Sequence, residues 1–383
     1  MELWYLLTGV IFAALYSGLI WLYRLWFNRL KPFDPGKLSL QPPVFFSVIV
    51  PARNESAVIE SCLQSILAQA YPTDSYEVIV VDDFSTDDTA AKVRKLAAQF
   101  PRVQLLSLQD FYADGNQLAY KKKAIELAIS KSKGSWIVTT DADCVVPPYW
   151  LHHFNAMIAK QNPVFIAAPV MFTNNGKFSG IFQLLDFLSL QGITAAVVSA
   201  GSHTMCNGAN LAYSKQAFEQ VGRFKGIDHL ASGDDMLLMH KMKKQFGNRL
   251  SYLFSAQSIV LTAPMPNWKQ FLHQRIRWAS KASYYEDKGM LAVLWLVYLF
   301  NALLLVGMIL GFFYPAIFYN VLLLIGIKTF AELSFMLPVA HFFRMQQWLL
   351  LFPIMQPFHI VYTVVAGWLG KFGSYQWKSR TVQ

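Results

Sequence analysis

Charge is scarce in this 383-residue sequence. Only 15% of residues are Asp, Glu, Lys or Arg and 54% are hydrophobic, where an ordinary soluble domain has about a quarter charged. The shortage is concentrated: residues 3–23, 290–327 and 345–370 contain no charged side chain at all, which excludes a disordered or wholly soluble chain. Cysteine is nearly missing too. Cys62, Cys144 and Cys206 show no CxxC spacing and no even pairing, so neither a disulfide framework nor a zinc site is indicated, and a reducing compartment fits. Internal repeats and low-complexity tracts are absent.

The uncharged runs have membrane dimensions. Leu3 to Tyr23 covers the roughly 20 helical residues that cross a bilayer core. Its acidic flank Glu2 and bulky end at Trp21 and Tyr23 suit a retained anchor better than a cleaved signal. Residues 290–327 are too long for one comfortable crossing. Two spans are expected, broken between Gly311 and Pro315, the second reaching about Ala340 with Lys328 and Glu332 four residues apart on one face. The run 345–370 contains Pro353, Pro357 and His359, as a kinked span or a re-entrant segment would. Arg24, Arg29, Lys31 and Lys37 follow the first span and place the middle of the chain in the cytoplasm by the positive-inside rule. Three full carboxy-terminal crossings would put Lys371, Lys378 and Arg380 outside, so either the last run does not cross or the tail breaks the rule.

The expected organisation is an anchor over 1–27, a water-facing domain over 28–289, a membrane region over 290–370 and a tail over 371–383. The middle section holds 27 of the 33 basic and 21 of the 23 acidic residues, a net charge of +6, and is long enough for its own core. That surplus suits anionic lipid or a phosphorylated substrate; no arginine-rich tract or nucleic-acid motif is present, so no nucleic-acid partner is expected. Residues 32–43, with five Pro or Gly, read as a linker.

Strand and helix signals alternate after the linker. Strands are expected at 44–50, 77–81, 103–107 and 136–140, with helices near 56–70, 86–100 and 120–132, a βαβ pattern with a parallel sheet. Ligands bind such sheets at the carboxyl ends of strands, and those ends carry Arg53, Asn54 and Glu55, then Asp82 and Asp83, then Asp141 and Asp143. Carboxylates placed just after buried strands need a cation or donors to meet them, although Asp82, Ser85 and Asp87 would serve equally as helix caps. Asp141-Ala142-Asp143 puts two carboxylates one residue apart, an arrangement suited to Mg²⁺ or Mn²⁺ bridging a diphosphate. A DxD is common in loops that bind nothing, so its context decides.

That context is SVIVPARNE at 47–55, VIVVDDFSTDDT at 78–89, YKKKAIELAI at 120–129, TDADC at 140–144, NGAN at 207–210, SGDD at 232–235 and QRIRW at 274–278. In order and spacing these motifs resemble the membrane-bound family 2 glycosyltransferases, over nearly all of the middle section. The resemblance implies an α/β fold of the GT-A type, a Rossmann-like nucleotide-sugar-binding domain with one amino-terminal and two to three carboxy-terminal membrane helices. It implies that Pro51, Glu55 and Asp83 hold the nucleoside, Asp83 by accepting from the base imide, and that Lys122 or Lys123 approaches the diphosphate, the rest of the Lys121–Lys123 run being solvated. It implies that Asp141 contacts the nucleotide sugar and, with Asp143, the metal. Asp235 is the implied general base, with Asp234 sharing or exchanging that role or capping a helix, since Gly-Asp-Asp stands where relatives often carry Glu before Asp. Arg277 is implied at the diphosphate, Gln274 and Trp278 at the acceptor, and Asn207 and Gly208 around the acceptor pocket. Taken alone, RIRW could equally be an interfacial anchor.

The reaction implied is a single inverting displacement from a nucleotide sugar, expected to be a UDP-sugar, by an integral protein of a bacterial inner membrane with its catalytic domain in the cytoplasm. The acceptor expected first is a membrane lipid, because three or four spans almost without polar residues line a polymer channel poorly. A processive polysaccharide synthase of the cellulose, hyaluronan or poly-N-acetylglucosamine type is the alternative. A catalytically silent nucleotide-sugar-binding scaffold is the reading from another class. Residues 178–198, with one Asp and no base, are expected to form an amphipathic helix on the membrane, or else a buried core helix. Of His203, His229 and His273, only His273 lies near QRIRW.

Overall fold

A computed structural model describes residues 2–36, 42–112, 120–230, 233–373, 375–377 and 380–382. Ser232 of the SGDD motif, part of the 32–43 linker and part of the 371–383 tail lie outside the described residues. Two compact units result: Lys31–Met171 with Val198–Ala263, and Met1–Leu30 with Phe172–Val197 and Pro264–Gln383.

In chain order the elements begin with helix α1 (Glu2–Asn28), strand β1 (Phe46–Ala52), α2 (Ile59–Leu67), β2 (Tyr76–Asp82), α3 (Thr89–Gln99) and β3 (Val103–Ser107). Next come α4 (Tyr120–Lys131), β4 (Trp136–Thr139), β5 (Cys144–Val145), α5 (Trp150–Gln161), β6 (Phe165–Ala167), β7 (Val170–Phe172) and α6 (Phe178–Ser199). Then follow β8 (Leu211–Ser214), α7 (Lys215–Gln220), α8 (Met236–Phe246), β9 (Leu250–Tyr252) and β10 (Val260–Thr262). The last helices are α9 (Trp268–Ser280), α10 (Lys288–Leu310), α11 (Pro315–Phe343) and α12 (Phe352–Phe372).

The first unit is built on a seven-stranded sheet ordered β3-β2-β1-β4-β8-β6-β9. β1 to β4 are parallel, as the βαβ pattern requires, whereas β8 runs antiparallel to both β4 and β6. The central strands are uninterrupted apolar runs because helices cover both faces. Val48, Ile49, Val50 and Val78–Val81 have no exposed surface, each such side chain contributing about 1.5–3 kcal/mol of burial. Pro51 does not end β1, which continues to Ala52. The Ile49 carbonyl accepts from Thr140, so by alternation Pro51 faces the same side, where the ladder with β4 has already stopped at the Ile49–Thr139 pair. Its missing N–H therefore costs no sheet bond.

The second unit gathers the apolar helices. Among the described residues five helices are long and apolar enough to cross a membrane: α1, α6, α10, α11 and Gln346–Phe372, which contains α12. The break expected between Gly311 and Pro315 separates α10 from α11. The uncharged run 345–370 forms a short 3₁₀ turn, Gln346–Leu351, and then α12 with Pro357 inside it. Small residues let backbones approach: a Cβ on Gly9 would lie 2.4 Å from Leu324, and one on Gly192 would lie 2.5 Å from Val339. Lys328 and Glu332 pair at 2.7 Å as their spacing predicts, and Gln356 joins both, accepting from Lys328 at 2.7 Å and donating to Glu332 at 2.6 Å. The Tyr16 hydroxyl also donates to Glu332, so α1, α11 and α12 share one closed polar network. The membrane-surface reading of residues 178–198 is corrected. In α6, 83% of the apolar window is buried inside the protein, and even its polar Gln183, Asp186, Gln191 and Thr194 are buried, so it presents no polar face to water.

Candidate active site

Two strand-end loops form the first wall of the site. Asn54 adopts a left-handed backbone, φ 52°, a conformation asparagine tolerates, and its Oδ1 accepts from the Thr86 amide at 2.8 Å. The Asn54 amide donates to Ser85 Oγ at 3.0 Å, the Glu55 amide to Thr89 Oγ1 at 2.8 Å and the Ser56 amide to Asp87 Oδ2 at 3.0 Å. Slight burial works against the Asp87 charge, but hydrogen bonds from the Thr89 hydroxyl and amide and from Ser56 hold its carboxyl well below the usual range. Asp87 thus does the helix-start work, while Asp82 accepts from the Ser85 amide at 3.4 Å and keeps a buried Oδ1 without a hydrogen-bond partner among the described residues.

Arg53 ties these loops together. Its Nη1 donates to the Asp83 carbonyl at 2.7 Å and lies 3.7 Å from the Asp83 carboxylate. Asp83, 4% exposed, directly follows β2, its amide donating to the Ala52 carbonyl of β1 at 2.8 Å.

The acidic pair after β4 continues the same sheet edge. A turn from the Asp141 carbonyl to the Cys144 amide, 3.1 Å, leaves Asp143 exposed and Asp141 39% exposed. The thiols of Cys62 and Cys144 are buried beneath this turn, and burial together with Asp143 and Asp141 pushes both above the usual thiol range, so they are inert filler.

Lys121 joins Asp141 to the SGDD motif. Its Nζ is 2.8 Å from Asp141 Oδ1 and 3.3 Å from Asp234 Oδ2. Burial opposes the ammonium, but Asp141 and Asp234 hold its pKa well above the usual lysine range. Asp235 begins α8: its Oδ1 accepts from the Met236 amide at 2.8 Å and its Oδ2 from the Gly208 amide at 3.1 Å. The backbone of Asn207–Asn210 thereby orients the expected base. The loop packs closely here: a Cβ on Gly208 would lie 3.3 Å from Lys121 Nζ and 3.5 Å from Asp234 Oδ2. Beneath the loop, buried Asn210 is fully engaged, donating to Pro169 and Ser258 carbonyls at 2.7 and 2.8 Å and accepting from Trp150 Nε1 at 2.8 Å.

Three motifs therefore meet around Lys121, which the sequence reading left among the solvated lysines. The two lysines expected at the diphosphate lie elsewhere: Lys122 is 2% exposed and donates to the Leu230 carbonyl at 2.7 Å, and Lys123 stacks on Tyr112. Helical phase is the reason, because adjacent residues on α4 point about 100° apart. Within the acidic pair, Asp235 caps α8 and Asp234 makes the charge contact with Lys121. His203 lines a cavity of about 300 Å³ with Met239 and Lys243 of α8, and His229 is exposed.

In the other unit α9 carries QRIRW. Arg275, 5% exposed, is ion-paired with Asp186, whereas Arg277 is half-exposed. Gln274 accepts from Arg275 Nη1 at 2.9 Å, and the Trp278 ring lies 4.2 Å from the Arg275 guanidinium carbon. Among the described residues, the buried Nδ1 of His273 has no hydrogen-bond partner.

Residues 47–222 match the model of glycosyl transferase family 2, and residues 136–369 match that of glycosyl transferase family group 2. The chain belongs to glycosyl transferase family 2. It is 28% identical over 192 residues to the glycosyltransferase AglE of Haloferax volcanii, covering 50% of this chain and 59% of that one. It is 32% identical over 116 residues to the beta-monoglucosyldiacylglycerol synthase of Synechocystis sp., covering 30% of this chain and 23% of that one. The chain thus spans less than two thirds of either relative. Among solved structures, the mannosyltransferase PcManGT from Pyrobaculum calidifontis, in complex with GDP-Man and Mn²⁺, superposes with TM-score 0.58 at 22% identity, over 93% of this chain and 99% of that one. That likeness establishes the GT-A fold expected from the motifs.

Proposed function

We propose that this family 2 glycosyltransferase moves a sugar from a nucleotide-sugar donor to a membrane lipid, in one inverting, metal-assisted displacement. The observation that carries the reading is the meeting of three motifs at Lys121: its ammonium contacts both Asp141 and Asp234, and Asp235 hydrogen-bonds to Gly208 against the same lysine.

Asp141 and Asp143 offer hard oxygen donors one residue apart. Among the described residues no three His, Cys, Asp or Glu side chains are grouped to hold an ion by themselves. Such a set suits Mg²⁺ or Mn²⁺, which keep waters and take substrate phosphate oxygens as further ligands; when bound, the cation would neutralise charge on the departing diphosphate. In this reading Asp83 accepts from the base imide of the nucleoside, with Pro51 and Glu55 as its further contacts and Arg53 beside the carboxylate. Asp235, its carboxylate aimed by two backbone amides, takes the proton of the acceptor hydroxyl. The freed oxygen attacks the anomeric carbon opposite the leaving diphosphate, inverting it. Lys121 bridges Asp141 and Asp234, offsetting their mutual repulsion, and adds positive charge for the diphosphate. Arg277 and Trp278 receive the diphosphate and acceptor roles from the motif alone.

A lipid acceptor is supported by the apolar helices and by the synthase relative, whose name specifies a glucosyl lipid. The test is release of nucleoside diphosphate by full-length protein in nanodiscs, screening UDP- and GDP-sugars with Mn²⁺ and total membrane lipid, with mass spectrometry of the solvent-extracted product. A glycolipid is expected. A water-soluble, high-mass product would replace this reading with polymer synthesis, and no release with any donor would favour a silent scaffold.

A further inference from the structure

Beyond the motif, α9 and α6 contain a buried ion pair that the reaction scheme does not use. We propose that Asp186 is a positioning residue for Trp278, acting through Arg275; the inference rests on the reading of Trp278 as the acceptor floor. Phe271, Arg275 and Trp278 follow at i, i+4 and i+7 on α9, one face of the helix. The guanidinium carbon of Arg275 lies 4.6 Å from the Phe271 ring centre and 4.2 Å from that of Trp278, so the planar cation fills the space between the two rings. A planar cation can turn about its stem, and Asp186 removes that freedom: its Oδ2 accepts from Arg275 Nε at 3.0 Å and from Nη2 at 2.5 Å. Gln274 takes the remaining terminal nitrogen, Nη1, at 2.9 Å. Asp186 is itself fixed, since the Tyr362 hydroxyl of α12 donates to its Oδ1 and His359 Nε2 lies 3.9 Å from the same oxygen. The neighbouring Phe187 packs against Trp278 at 6.1 Å between ring centres, so consecutive α6 residues support the indole directly and through the arginine.

Both charges are almost wholly buried, the side chains of Arg275 and Asp186 each being 4% exposed. A bidentate, stacked site of this kind is not satisfied by lysine. Half-buried Trp278 keeps ring surface for a ligand while its orientation is set from behind. Asp186 would therefore govern how the acceptor engages and leave donor binding alone.

The experiment uses full-length protein labelled with 5-fluorotryptophan in nanodiscs, with the Trp278 resonance assigned by its loss in Trp278→Phe. Asp186→Asn and the milder Tyr362→Phe should shift or broaden that resonance, with Asp186→Glu returning it towards wild type. In nucleoside diphosphate release with total membrane lipid, Asp186→Asn should raise the half-saturating lipid concentration on the order of tenfold and change that of the donor by less than about twofold. An unmoved Trp278 resonance in both Asp186→Asn and Tyr362→Phe overturns the proposal, as does a fall in maximal rate with unaltered lipid dependence. If wild type shows no lipid-dependent release, the acceptor reading fails while the fluorine spectra still decide the positioning role. Should Asp186→Asn not fold, Tyr362→Phe and Arg275→Lys carry the same two readouts.

Discussion

Replacing Lys121 by Met tests whether one cation organises the acidic site. At an effective dielectric of about 20, each of its carboxylate contacts at about 3 Å has a raw attraction of roughly 5 kcal/mol, most of it offset by desolvation of three charges. The Asp141 side chain is 39% exposed and its share is screened by water, whereas that of Asp234 is 11% exposed. The expected net loss is about 2–3 kcal/mol, between the roughly 1 kcal/mol of an exposed pair and the 3–5 kcal/mol of breaking a buried one. Thermal unfolding in detergent should fall by about 4–10 °C, and Mn²⁺ should recover more stability in the variant than in wild type by replacing the lost charge. Turnover should drop on the order of 10²-fold, the kinetic equivalent of that energy. The sign with pH is equally specific. Because the pKa of Lys121 is raised on folding, its contribution is complete below the ordinary lysine value of about 10.4 and lost only as pH climbs through the raised one. No limb of the pH–rate profile between about 6 and 9 should vanish in Lys121→Met. A variant with turnover within about threefold of wild type and an unchanged melting temperature would refute the central role of this lysine.

Asp235→Asn should abolish nucleoside diphosphate release while donor affinity, measured by calorimetry, changes little; normal turnover would remove Asp235 as base. Asp143→Ala should weaken nucleotide binding in Mn²⁺ by about tenfold or more but leave binding in EDTA unchanged, and equal loss under both conditions would count against a metal role. Glu332→Ala should destabilise the protein by about 3–5 kcal/mol in detergent melts, because Lys328 is left buried without its carboxylate, whereas Lys328→Met/Glu332→Gln should cost less. If the double variant proves the less stable of the two, the network owes its stability to something other than charge pairing.

The strand-end carboxylates show how far local pattern reaches. Apolar runs closed by acids place Asp83 and Asp141 at the carboxyl ends of two parallel strands, which a parallel sheet brings to one edge by construction. The same holds for the spacing of Lys328 and Glu332, which one helix turn suffices to pair. The break between α10 and α11 is legible likewise, because Gly311 and Pro315 fall inside one uncharged run too long for a single crossing.

Composition and periodicity by themselves settle that the chain combines an α/β parallel-sheet fold with apolar helices, because chain stiffness and burial act over a few residues. Three questions were left to tertiary packing. Which of Lys121, Lys122 and Lys123 enters the site depends on how α4 docks on the sheet, a rotation that three identical residues cannot reveal. Whether Asp234 or Asp235 caps α8 depends on where the Gly208 amide, 27 residues away, arrives. Whether α6 lies on a surface or inside depends on partners from α9, α11 and α12, and its single acid, Asp186, acquires a meaning only once Arg275 and Tyr362 are beside it.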